Sequence, residues 1–135
     1  TPSFMSIYIT GINLKRMINR GGLTYYHALT CLKSGHIYEY IDKSQFYFND
    51  VPVNNRSRTN ITFSVNHSVQ LGDEFTSKAT ARGFIGTKHH RANLDKGCRI
   101  SLYNGLELEE LNRFIEFMEE FKNEYLYDKL NIVLV

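Results

Sequence analysis

The chain has no tryptophan, two prolines and two cysteines in 135 residues. The cysteines, Cys31 and Cys98, lie far apart, which excludes a disulfide scaffold. With no secretory signature they are expected to be reduced thiols. No apolar run approaches the roughly 20 residues that would span a bilayer. The start, Thr1-Pro2-Ser3-Phe4, carries no basic stretch ahead of an apolar one. A signal peptide is therefore not expected, and a cytoplasmic setting is. With no initiating Met, the start also reads as that of a fragment. The net charge of +2 is too small to argue for nucleic acid. HExxH, GxSxG and Walker sequences are missing, as are repeats and low-complexity segments. Gly21-Gly22 is too short for a phosphate loop and reads as a helix stop.

What remains is the composition of an ordinary globular domain, 42% hydrophobic and 22% charged. Three N-x-S/T triplets, at Asn55, Asn60 and Asn66, read as chance in an Asn-rich chain. Apolar residues at three- and four-residue spacing predict a helix over Phe4 to Arg20, with Pro2 suited to its first turn. A second helix is predicted over about Leu23 to Ile41, with Tyr26, Leu29, Leu32, Ile37, Tyr40 and Ile41 inward. Phe46-Tyr47-Phe48 reads as a strand closed by Asn49-Asp50. Asn60 to Val65 alternates polar with apolar, the pattern of a half-buried strand. A helix over Leu71 to Ala81 ends at Gly83, and Phe84 to Thr87 and Arg99 to Tyr103 read as short strands. Leu111, Phe114, Ile115, Met118, Phe121 and Tyr125 form the apolar stripe of a last helix whose other side is acidic. The apolar tail Leu130 to Val135 reads as a terminal strand. The class this order implies is α+β, a small antiparallel or mixed sheet with helices packed on one face, plus an N-terminal long helix.

The most unusual run is Lys88-His89-His90-Arg91, followed by Arg99 at the head of a strand. Arginine presents a planar fork of donors that matches carboxylate or phosphate, and histidine can donate to phosphate. A ligand with both anionic groups suits this set, and a solvated basic loop is the plain alternative. A metal site built from His89, His90, Asp95 and Cys98 fits no zinc spacing. Asn54-Asn55-Arg56-Ser57-Arg58 reads as a turn before it reads as an anion site.

Several segments resemble, in order, motifs of the phosphoserine aminotransferases, a class V family of fold-type I pyridoxal-phosphate (PLP) enzymes. Thr1-Pro2-Ser3-Phe4-Met5-Ser6-Ile7-Tyr8 is similar to the family's Thr-Pro-Pro-x-Phe-x-x-Tyr, and Gly21-Gly22 to the Gly-Gly after that helix. Ile41 to Tyr47 is similar to Ile-Asp-x-Ser-x-x-Phe-Tyr, and Asn55-Arg56-Ser57-Arg58-Thr59-Asn60-Ile61 to Asn-Arg-Ser-x-Met-Asn-Val. Lys88-His89-His90-Arg91 resembles Lys-Gly-His-Arg, and Arg99 to Asn104 resembles Arg-Ala-Ser-Ile-Tyr-Asn. Phe117-Met118-Glu119-Glu120-Phe121 fits Phe-Met-x-x-Phe. His89 replaces a glycine, and the seven residues Ala92 to Cys98 are two more than the family has between its arginines.

The resemblance implies the C-terminal small domain over 1–135, without the cofactor-binding large domain. It implies a homodimer that moves an amino group between glutamate and 3-phosphohydroxypyruvate, giving O-phosphoserine and 2-oxoglutarate in serine biosynthesis. His90 and Arg91 would grip the substrate phosphate, and Arg99 the α-carboxylate. Thr1 would reach the PLP phosphate of the other subunit. The Schiff-base lysine lies upstream in the family. None of Lys15, Lys33, Lys43, Lys78, Lys88, Lys96, Lys122 and Lys129 has its context. Two other readings stay open: a stand-alone anion- or protein-binding domain derived from the enzyme, and a different class V aminotransferase.

Overall fold

The computed structural model describes residues 2–88 and 97–133, the last three by backbone alone. Helix α1 (Phe4–Asn19) is followed by α2 (Gly22–Ser44), strand β1 (Tyr47–Phe48), a single 3-10 turn (Val53–Asn55) and β2 (Asn60–Val65). Then come α3 (Val69–Ala81), β3 (Cys98–Ser101) and α4 (Leu108–Val133). The sheet has the order β1-β2-β3 and is antiparallel throughout.

Alternation along β2 sets the layers. Ile61, Phe63 and Val65 are buried, while Asn60, Thr62 and Ser64 are only half so. The buried side, continued by Cys98 and Ile100 of β3, lies in one core with Ile37 and Ile41 of α2. Phe75 of α3 and Leu111, Phe114, Met118 and Phe121 of α4 complete it. Phe75 is the hub, with Tyr47, Phe63, Phe114, Phe117 and Phe121 around it at centroid distances of 5.1–6.1 Å. Edge-on and tilted pairs of this kind add to plain burial. The Tyr47 hydroxyl meets its own need in the core by donating to Met118 O at 2.7 Å.

Four expectations are corrected. Phe84 to Thr87 is not a strand. Gly83 and Gly86 adopt left-handed φ values of 90° and 84°, and α3 closes with Phe84 N–H on Ala79 O and Gly83 N–H on Thr80 O, a Schellman ending. Only Lys88 pairs with Cys98, as an isolated bridge. Leu130 and the residues up to Val133 are helical rather than a strand; lengthening an existing helix adds one hydrogen bond per residue fixed. Residues 134 and 135 lie outside the described residues. On α2, Leu32 is 55% exposed and Lys33 is buried in its stead. On α4, Phe117 joins the buried stripe while Ile115 is only half-buried.

Lys33 explains its own burial. Its ammonium donates to the carbonyls of Tyr103 and Leu106, both at 3.0 Å, and so pins the link between β3 and α4. Desolvation lowers its pKa below the ordinary value, opposed by the nearby Glu107. Lys33→Met should destabilise the chain by about 1–3 kcal/mol, because two carbonyls lose their donor. The pH dependence has a definite sign. With a depressed pKa, the unfolded chain binds more protons than the fold in the window just below the ordinary pKa. The wild type therefore gains stability on Lys33→Met as pH rises toward about 10.5. Urea titrations of both proteins at several pH values check this; a margin that shrinks with pH would contradict it.

Glycine is required at one further place. Gly97 has φ +99°, and a Cβ there would sit 2.4 Å from Phe63 O. Helix α1 differs from the rest: it packs on α2 and buries none of its residues. Phe4, Met5, Ile7, Tyr8 and Ile18 are all exposed. No described helix is long and apolar enough to cross a membrane.

Candidate functional site

The polar loop before β2 is structural. Arg56 holds Asp42 through both terminal nitrogens, at 2.7 and 2.8 Å. Its guanidinium lies 4.7 Å over the Tyr38 ring, and its Nε donates to Val51 O. That hydrogen-bonded fork is already occupied, so this cluster is a braced turn.

Arg99 is placed differently. It is the second residue of β3, an edge strand, opposite Thr62 of β2. Its backbone N–H donates to Thr87 O at 2.7 Å, which ties the edge to the turn after α3. Cys98 and Ile100 on either side point into the core, so alternation turns the Arg99 side chain away from them. Its Nε is buried and has no hydrogen-bond partner among the described residues. Buried donors are nearly always paired, and an arginine more than most, since it carries charge as well.

Arg99 is among the residues that line a cavity of about 550 Å³ between the 82–87 turn, β3 and the start of α4. Arg82, Thr87, Tyr103, Glu110 and Arg113 share the wall with apolar Phe84 and Phe114. Arg82 is engaged with Glu120 at 2.9 Å. Arg113 and Thr87 were not singled out in the sequence: Arg113 sits on the polar side of α4, and Thr87 gains meaning only from its pairing with β3.

Of the other predicted site residues, Thr1, His90 and Arg91 lie outside the described residues. So do His89 and Asp95 of the metal reading. Cys98 is buried with Sγ on Gly72 O, and burial, with a smaller push from Asp73, raises its thiol to about 12. It is a core thiol, poorly suited to ligating metal. Among the described residues no group of three or more His, Cys, Asp or Glu could hold a metal ion.

Among the described residues, no lysine lines the Arg99 cavity. Lys33 is committed to two carbonyls. Lys43, Lys78, Lys88 and Lys122 pair with acidic neighbours, and Lys129 lies over Tyr125. Among the described residues, the cavity at Arg99 is thus lined by no amine that could face a carbonyl cofactor such as PLP.

No protein-family model matches the chain. It is 34% identical over 125 residues to a phosphoserine aminotransferase from Janthinobacterium sp. (strain Marseille), covering 93% of this chain and 34% of that protein. Among solved structures, a phosphoserine aminotransferase from Bacillus circulans subsp. alkalophilus superposes with a TM-score of 0.87. It is 36% identical and covers 93% of this chain and 34% of that one. A PLP-bound phosphoserine aminotransferase from Trichomonas vaginalis gives 0.79 at 27% identity, over 88% and 34% of the two chains. The chain thus spans about one third of the length of the relatives it matches. In sequence and in fold alike, it belongs with the phosphoserine aminotransferases, as a counterpart of that one third.

Proposed function

We propose that this chain is the substrate-clamping, C-terminal portion of a PLP-dependent phosphoserine aminotransferase. The complete protein is a cytoplasmic homodimer. It transfers an amino group between glutamate and 3-phosphohydroxypyruvate, forming O-phosphoserine and 2-oxoglutarate. The observation that carries the reading is the buried Nε of Arg99, without a partner among the described residues, in a residue that lines an open cavity. A carboxylate received side-on, by Nε–H and one terminal N–H, satisfies that donor and forms a two-point contact.

Both substrates carry an α-carboxylate, so Arg99 serves both half-reactions. His90 and Arg91 take the phosphate at the other end of phosphoserine. Two fixed ends set the orientation of the carbon between them, and orientation alone can supply a large part of a rate enhancement. PLP, when bound, supplies the electron sink of amino transfer. Its covalent attachment belongs to the portion of the relatives that this chain does not span, and Thr1 meets the PLP phosphate of the neighbouring subunit.

Two measurements test this. The 135-residue chain mixed with PLP should give no visible absorbance assignable to a lysine adduct and no transamination. Absorbance bleached by borohydride, with label recovered on one specific lysine of this chain, would contradict it. The complete gene product should convert phosphoserine and 2-oxoglutarate to glutamate; its failure to do so while loaded with PLP would overturn the reading.

A further inference from the structure

We propose that the hydroxyl of Thr87 is a second donor to the carboxylate held by Arg99, which makes Thr87 a substrate-contacting residue of this site. The inference rests on the reading of Arg99 given above and deepens it.

The argument begins with register. Lys88 faces Cys98 across an antiparallel bridge, so Thr87 faces Arg99, and the Arg99 N–H bond to Thr87 O fits that pairing. Facing residues of an antiparallel pair project to the same side, and their neighbours along the strand to the other. The neighbours do so here. Lys88 Nζ lies 3.4 Å from Asp73 of α3, and Cys98 Sγ lies against Gly72 O of the same helix. Thr87 and Arg99 therefore share the opposite face, in one row with Thr62.

Burial supplies the second part. Thr87 is 6% exposed, and its Oγ1 has no hydrogen-bond partner among the described residues. A threonine in a helix commonly bonds a carbonyl one turn back, but Thr87 follows the Gly86 turn and has no such carbonyl. Its hydroxyl and the Nε of Arg99 are thus two buried groups without partners among the described residues, on residues that face each other across a strand pair and line one cavity.

The ligand chemistry follows from the donor set. A carboxylate offers two oxygens with about four acceptor sites. The arginine fork uses two of these, and a neighbouring hydroxyl can use a third. One guanidinium and one neutral hydroxyl balance a single negative charge. That matches a carboxylate rather than a phosphate dianion, which would call for more cationic charge.

The test uses the complete protein, with Thr87→Val removing the hydroxyl at nearly constant shape, Thr87→Ser keeping it, and Arg99→Ala as the reference. Calorimetric titration with 2-oxoglutarate reads affinity without turnover. Thr87→Val should weaken binding about five- to tenfold, and Thr87→Ser by no more than about twofold. KM for both amino donors should rise in parallel. The melting temperature of Thr87→Val should not fall, because no bond within the fold is lost. A drop of several degrees would mean the hydroxyl serves the fold, which overturns the inference. So would wild-type affinity in Thr87→Val, or equal weakening in Val and Ser. If Arg99→Ala loses 2-oxoglutarate while Thr87→Val keeps it, Thr87 alone is misassigned. If Arg99→Ala also keeps it, the reading of Arg99 falls too.

Discussion

Arg99→Ala in the complete enzyme is expected to lower kcat/KM for phosphoserine and for glutamate alike, by about ten- to a hundredfold. Both donors present an α-carboxylate, and the arginine that would receive it carries a buried Nε with no partner among the described residues. A charge-assisted bond to arginine contributes about 1.5–3 kcal/mol, which sets that range. Arg91→Ala should behave differently. It should lower use of phosphoserine by a similar factor or more, yet use of glutamate less, since glutamate has a carboxylate where phosphoserine has a phosphate. Steady-state kinetics with both donors separates the two roles. Small, equal losses for both variants with both donors would mean that neither arginine grips the substrate. The pair of variants also probes the longer run between Arg91 and Arg99. Two extra residues shift Arg91 along the chain, but Arg99 is anchored independently by its strand and by Thr87 O.

A comparably large effect is expected in the core. Met118→Asp should unfold the isolated chain or lower its melting temperature steeply. Met118 is fully buried, on the stripe of α4 that closes over Phe75 and Tyr47. An ionised carboxylate there has no partner and costs several kcal/mol, against a total stability of about 5–15 kcal/mol for a typical domain. The sign with pH is set by the same burial. The new carboxyl would have a raised pKa in the fold, so the damage is least in acid and grows as pH rises through that value. Met118→Leu, of similar volume, should cost less than about 1.5 kcal/mol. An unchanged melting temperature for Met118→Asp would mean that this side of α4 does not face the core.

Elements whose signal is local were legible in the sequence. Asn60 to Val65 alternates strictly, and β2 has those bounds. Gly21-Gly22 ends α1 because Gly21 adopts φ 107°, and the α4 stripe follows from helical spacing alone. Elements whose reason lies elsewhere in the chain were not. Lys33 is buried because carbonyls some 70 residues away accept from it, so the inner face of α2 was read one residue off, at Leu32. The run Phe84 to Thr87 has strand-like composition, but two left-handed glycines break it. The site divides the same way. Arg99 was legible as a residue type at a strand head. That its Nε is idle, and that Thr87 stands beside it, follows from strand register, which no local pattern encodes.

Helix α1 has 16 residues, none of them buried. In water an isolated helix of that length is marginal, and here its tertiary support is one side of α2. Opening it exposes little apolar surface that solvent does not already reach, so in the isolated chain it costs far less than global unfolding. Backbone amides of α1 should therefore exchange with deuterium by local fraying, while those of β2 and the buried turns of α4 wait for the whole core to open. The chain thus combines a cooperative α+β body with an N-terminal helix whose order is nearly independent of it.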